Sequence, residues 1–330
     1  MKALLLSAAA LGLVMLSVLH LCIGARPLSP TVVMAALFDY DPRNYSHIVV
    51  IKQRLSRLVV ALGIGAMLAA SGYTLQKLLR NDLVSPSTLG INSGAAAFSV
   101  GGIYFLGLSG TNLLWPALAG GISALIFAFF AADLLGRHRR EPLNLVLGGA
   151  MSATLFSSAT AFILSLDPDA FGNMLGWLVG DIGIFDYQTL MVFWPFGLLA
   201  LVVLFLLSRP LDVLGIGAEQ AAALGVNPQW IQGLALAAAV VLPVLAVTVA
   251  GPIGFVGLIV PHIARLFVGE SGRLPLAVAM LLGSALLTGA DILARILLAP
   301  RLLNVGTIMA LVGGIAFLLI TLMVLRRRTA

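Results

Sequence analysis

The chain has 330 residues, 60% hydrophobic and only 10% charged, where an ordinary soluble domain has about 25% charged. Its 19 Lys and Arg against 13 Asp and Glu leave a net charge of +6. So few charges cannot cover a soluble fold of this size, which excludes a soluble enzyme and a disordered chain. What remains is an all-α polytopic membrane protein. A span takes about 20 apolar residues, so there is room for about ten. One cysteine, Cys22, excludes a disulfide framework and a cysteine-based metal cluster. The basic residues sit between apolar runs without interleaved aromatics, which points to membrane topology and not to nucleic acid.

The first run, Ala3 to Gly24, follows Lys2. It is too long for a signal-peptide core and no small-x-small site follows it, so it predicts a retained first helix. Lys52-Gln53-Arg54-Leu55-Ser56-Arg57 precedes the second span, Leu55–Leu75. Within that span Gly65, Ala69 and Gly72 recur at helical spacing and make a small-residue seam for helix packing. Arg80 to Pro86, RNDLVSP, is a short turn, with Asn81 and Leu83 as candidate gate residues. The third and fourth spans cover Thr88–Leu108 and Leu113–Leu135.

After the basic turn Arg137-His138-Arg139-Arg140 comes the fifth span, Leu143–Leu166. Asn144, Gly148, Ser152, Leu155 and Ala159 share one of its faces. That small, mildly polar face either lines a wide pathway or packs in the bundle. The turn Glu141–Leu143 is a second candidate gate. The sixth span, Thr189–Leu207, leads into the connection Ser208–Pro228, SRPLDVLGIGAEQAAALGVNP. A short helix over Ala218–Leu224, ended by Gly225, suits docking into a groove of another protein.

Spans seven to ten are Ile231–Ala250, Phe255–Val268, Leu274–Leu298 and Gly306–Leu325. The eighth is short, and Pro261 interrupts it beside His262 and Arg265. These two are helical neighbours for which a structural hydrogen bond is the reading. In the ninth, Asp291 and Arg295 lie one turn apart and predict an ion pair.

Placing both termini in the cytoplasm puts most basic residues inside, including the short 137–140 turn and the tail Arg326–Arg328. Arg26, Arg43, Lys52, Arg54, Arg57, Arg295 and Arg301 then lie outside. The three lysines, Lys2, Lys52 and Lys77, follow Met, Ile and Gln, so there is no Walker A loop. The four histidines have no metal-ligand spacing. Intramembrane carboxylates are sparse, which argues against a self-powered carrier.

Taken together, RLSRLVVALGIGAMLAASG, RNDLVSP followed by LGINSGAA, the loop ending AAALGVNP, and GPIGFVGLIVPHIARLFVG with GADILAR after it resemble the permease family of type II ABC importers. That family serves iron–siderophore complexes, haem and vitamin B12. The resemblance covers nearly the whole chain, read as one transmembrane permease domain, 1–330. It implies the type II importer permease fold: ten helices per subunit and two subunits around a central path, as a homodimer or with a similar chain.

The resemblance also implies partners: an ABC ATPase dimer that uses ATP, a periplasmic substrate-binding protein, and membrane lipid, in a bacterial inner membrane. No cofactor or metal would sit on this chain. By the same resemblance, Arg54, Arg57 and Arg295 receive acidic groups of the binding protein. Glu219, Gln220, Ala221, Leu224 and Gly225 couple to the ATPase, from the connection at about 209–228. Three positions depart from the family pattern: Ser56 and Asp82, where proline is usual, and Leu302-Leu303-Asn304-Val305-Gly306 in place of Glu-Leu-Pro-Val-Gly. The cargo expected is a ferric siderophore, with haem or cobalamin as alternatives. A self-contained secondary carrier or channel, and a non-transporting scaffold, are the rival readings.

Overall fold

The computed structural model describes every residue except 1, 25, 136–141, 169–173, 184–186, 216, 300 and 330, and describes the backbone alone at 2–4, 142, 187–188, 218 and 320–329. The expected basic turn 137–140, Glu141 of the second gate, and the side chains of Arg326–Arg328 therefore lie outside the described residues.

The described residues form fourteen α-helices. They are α1 (Lys2–Cys22), α2 (Pro30–Phe38), α3 (Tyr45–Ile48), α4 (Ser56–Leu79), α5 (Ile91–Leu106), α6 (Leu114–Leu135), α7 (Pro142–Leu166), α8 (Leu175–Val179), α9 (Tyr187–Leu214), α10 (Ala218–Ala223), α11 (Pro228–Ala250), α12 (Val256–Val268), α13 (Leu274–Ile296) and α14 (Val305–Thr329). A π-helical segment, Val49–Leu55, runs from α3 into α4. Each predicted apolar run coincides with a helix. Among the described residues, seven helical stretches are long and apolar enough to cross a membrane, and α5, α12 and the first part of α14 are shorter apolar helices.

α4 forms the axis of the bundle. It is buried on every side over most of its length, as an apolar helix without a polar face must be. It packs on α13, α12, α11 and α9. The expected seam is the reason these helices come so close. Gly65 lies against the backbone of Gly283 on α13, and Gly72 lies against Gly257 on α12. In each case a Cβ would enter a carbonyl of the partner helix. A second group consists of α5, α6 and α7, where Gly94 on α5 and Gly120 on α6 meet backbone to backbone. Exposed Leu, Phe, Met and Val cover the outward sides of α1, α6, α7 and α9.

Two stretches differ from the sequence reading. The helix of the second span begins before Leu55: it is continuous from Tyr45 to Leu79, and the basic segment Lys52–Arg57 forms its π-turn and first α-turn. Likewise α9 runs on to Leu214 through Pro195 and Pro210. The hydrogen bond that each proline removes is outweighed by burial of Leu204, Leu207, Leu211 and Leu214 in one apolar cluster.

Candidate functional site

The bundle has two polar ends. The arginine end gathers the C-termini of α1 and α13 and the π-turn before α4. The loop end gathers the C-terminus of α4, the α9–α11 connection and the turn between α12 and α13.

At the arginine end the π-turn widens the helix and aims Arg54 and Arg57 to different neighbours; such turns recur at functional positions. Arg54 Nη1 donates to the carbonyls of Leu21 at 2.7 Å and Cys22 at 2.8 Å, and its other nitrogen reaches the carbonyl of Arg26. Arg295 donates to Ile23 O at 2.9 Å and His20 O at 3.2 Å. Two guanidinium groups thus cap the C-terminus of α1, whose last carbonyls have no partner within the helix and carry the negative end of its dipole.

Beside Arg295 sits Asp291, fully buried. Its Oδ1 accepts from Arg57 Nε at 2.7 Å. Its Oδ2 accepts from His20 Nε2 at 2.7 Å and lies 3.1 Å from Arg295 Nε. The predicted Asp291–Arg295 pair is therefore present, inside a larger network. Arg57 also faces Asp181 at 3.7 Å.

The three arginines expected to receive a binding protein are thus also tied into the bundle. Arg54 and Arg295 are only 7% and 6% exposed, because α1 supplies carbonyls that must be satisfied. The three arginines do converge. Together with Tyr45, Arg26 and Lys52 they line one basin of about 630 Å³. Arg26 and Lys52 are its exposed basic side chains. Sequence reasoning missed His20, since its partner lies 271 positions away and nothing local marks it.

At the loop end α10 forms as expected. It is entered by Gly217 at φ +123° and followed by Gly225 at φ +81°, left-handed positions that favour glycine. Glu219, Gln220, Leu224 and Gly225 are exposed. Ala221 is not: it is fully buried against α9 and holds α10 in place. Leu224 is 66% exposed, and Trp230, which sequence reasoning passed over, is 76% exposed. The cue was available, an indole two residues after the Pro228 that opens α11.

Asn81 is buried and structures its own turn, its Oδ1 accepting from Leu83 N at 3.0 Å. Leu83 and Leu143 are exposed. Arg265 donates to Gln76 Oε1 at 2.6 Å and pairs with Asp82 at 2.9 Å. His262 is half-buried beside it. Asp82, one departure from the family pattern, thus has a specific partner. Asn304, another, donates to Gly176 O at 3.2 Å and ties the start of α14 to α8. Ser56 donates to Ile51 O at 3.3 Å within the π-turn.

The α7 face that reads as either pathway or packing divides along its length. Gly148 lies against Ala128 and Ala132, and Ser152 Oγ donates to Ala124 O at 2.8 Å. That part packs on α6, with Asn144 half-buried at its edge, while Leu155 and Ala159 further along are exposed. The exposed side carries Leu147, Met151, Thr154, Ser158, Ala161 and Ser165, spaced by four and three residues.

Comparison with known proteins gives one consistent result. Residues 12–323 match the family described as the FecCD transport family. A siderophore transport system permease protein of Bacillus subtilis (strain 168) is 36% identical over 289 residues, 87% of this chain and 86% of that protein. The ferric enterobactin transport system permease protein of Escherichia coli (strain K12) is 35% identical over 304 residues, 92% of this chain and 90% of that one. A solved chain of a metal-chelate type ABC transporter in an inward-facing conformation superposes with a TM-score of 0.79 at 28% identity, covering 97% of this chain and 99% of that one.

Proposed function

The chain belongs to the FecCD transport family, and from that premise we propose that it is the permease subunit of an ATP-driven importer carrying a ferric siderophore into a bacterial cytoplasm. In this reading it crosses the inner membrane ten times, with the loop end and both termini cytoplasmic. Two such chains, identical or similar, enclose the path, and the exposed hydroxyl-bearing side of α7 lines it. ATP is bound and split on a separate ATPase dimer, and this chain holds no cofactor.

The observation that carries the reading is the apolar exposure of Leu224 and Trp230 around α10. Leu224 follows α10 directly and Trp230 lies in the first turn of α11, and large apolar side chains exposed together beside a short connecting helix suit contact with another protein. A self-contained carrier or channel has no use for one there. At the arginine end, Arg26 and Lys52 beside the basin suit acidic groups of a soluble binding protein, because complementary charge speeds and orients encounter.

The reading is tested by uptake in a strain lacking this chain. The panel is a catecholate and a hydroxamate ferric siderophore, ferric citrate, haem and cobalamin. Loss of one ferric-chelate uptake, restored by the gene, is expected. Loss confined to cobalamin or haem overturns the cargo. In the same strain the pair Arg26→Glu and Lys52→Glu is expected to raise the binding-protein concentration needed for half-maximal uptake about tenfold or more at low salt, the scale of electrostatic steering. An unchanged requirement removes the basin as the docking surface.

A further inference from the structure

The loop end holds a polar cup of about 410 Å³ beneath the connection to α10, and its members come from elements far apart in sequence. Lys77, in the last turn of α4, pairs with Asp212, near the end of α9. The other oxygen of Asp212 accepts from the Gly272 amide at 2.6 Å, in the turn between α12 and α13. Arg80, which ends α4 in the left-handed conformation at φ 49°, donates to Leu214 O at 3.1 Å. One turn back, Gln76 donates to Gly257 O and Leu258 O on α12, both at 3.2 Å. Gln76 also accepts from Arg265, which holds Asp82 of the Asn81–Ser85 turn.

The C-terminal turn of α4 therefore grips the entry to the α10 connection on one side and the 81–85 turn on the other. Lys77 and Asp212 are 17% and 23% exposed, near enough to water to break and reform. The pair joins the end of α9 to α4 and, through the Gly272 amide, to the α12–α13 turn.

We propose that Lys77 and Asp212 are positioning residues of a coupling strut, through which movement of the α10 connection reaches the 81–85 turn by way of the end of α4. This rests on the permease reading, in which that connection receives the motion of the ATPase.

The test uses the whole importer, permease with ATPase and binding protein, in proteoliposomes, with the ferric chelate that the wild-type complex carries. The readout is chelate taken up per ATP hydrolysed. Lys77→Met and Asp212→Asn are each expected to lower that ratio about fivefold or more, the low edge of ordinary coupling, while leaving assembly and basal hydrolysis intact. The asparagine still accepts from the Gly272 amide, so the loss reports the ion pair. Lys77→Arg is expected to restore the ratio, and the double variant to be no worse than the worse single, as for groups acting as one unit.

A ratio within about twofold of wild type in both single variants overturns the strut, since smaller effects fall below real coupling. Absence of ATP-driven uptake by the wild-type complex overturns instead the permease reading beneath it. Should both variants fail to assemble, hydrogen exchange on the unsubstituted complex decides. Closure of the ATPase dimer should alter protection at 212–215 and at 77–84 together; a change at 212–215 alone contradicts the proposal.

Discussion

Asp291→Ala is expected to cost about 3–5 kcal/mol of stability, the usual result of removing one member of a buried charge network. The carboxylate is fully buried and holds Arg57, Arg295 and His20 at 2.7 to 3.1 Å. Alanine leaves the two guanidinium groups facing each other, with Asp181 at 3.7 Å from Arg57. The loss should spread to α1, because Arg295 also caps its C-terminus. Two controls separate charge from shape. Asp291→Asn keeps an acceptor for Arg57 and should cost less. Asp291→Leu with Arg295→Met removes the charge pair together and should cost less than the sum of the singles. The measurement is the unfolding midpoint in mixed detergent and denaturant. A shift below about 1 kcal/mol for the alanine variant, the scale of an exposed ion pair, would show that the network contributes little.

Gly72→Val is expected to be the most damaging small substitution in the bundle axis. A Cβ at this position would sit within the Gly257 carbonyl, and what it meets is backbone that cannot rotate away. α4 and α12 must separate, and the Gln76 hydrogen bonds to Gly257 O and Leu258 O stretch with them. Overpacking of this kind costs about 1–3 kcal/mol or more. The same substitution logic predicts the opposite at Gly289 on α13, where no atom of the described residues lies within 4 Å of an added Cβ. Gly289→Ala should be neutral, or stabilising by about 0.5–1 kcal/mol through helix propensity. Equal tolerance of both variants, read as yield of folded protein in detergent, would remove the seam from the account.

How much of this was legible in the sequence divides by the range of the interaction. Apolar runs and the spacing of Gly65, Ala69 and Gly72 are local, and they gave the helices and the α4 seam. α10 was legible because Gly217 and Gly225 bracket it. The side of α7 that packs was not, since Gly148 and Ser152 suit a packing seam and a pathway equally, and only the position of α6 decides. The arginines were found, but not their burial. The carbonyls that satisfy Arg54 belong to residues 21, 22 and 26, at and just beyond the end of a helix whose docking cannot be read from the basic segment. His20 was passed over for a related reason: a lone His in an apolar run is ambiguous until its surroundings are known.

The central claim is that this chain is a conduit driven from outside itself. The most direct measurement is chelate uptake into proteoliposomes holding the permease, with the ATPase, ATP and loaded binding protein each omitted in turn. The account predicts that uptake needs all of them and is indifferent to an imposed proton or sodium gradient. Uptake by the purified permease alone, driven by such a gradient, would contradict it.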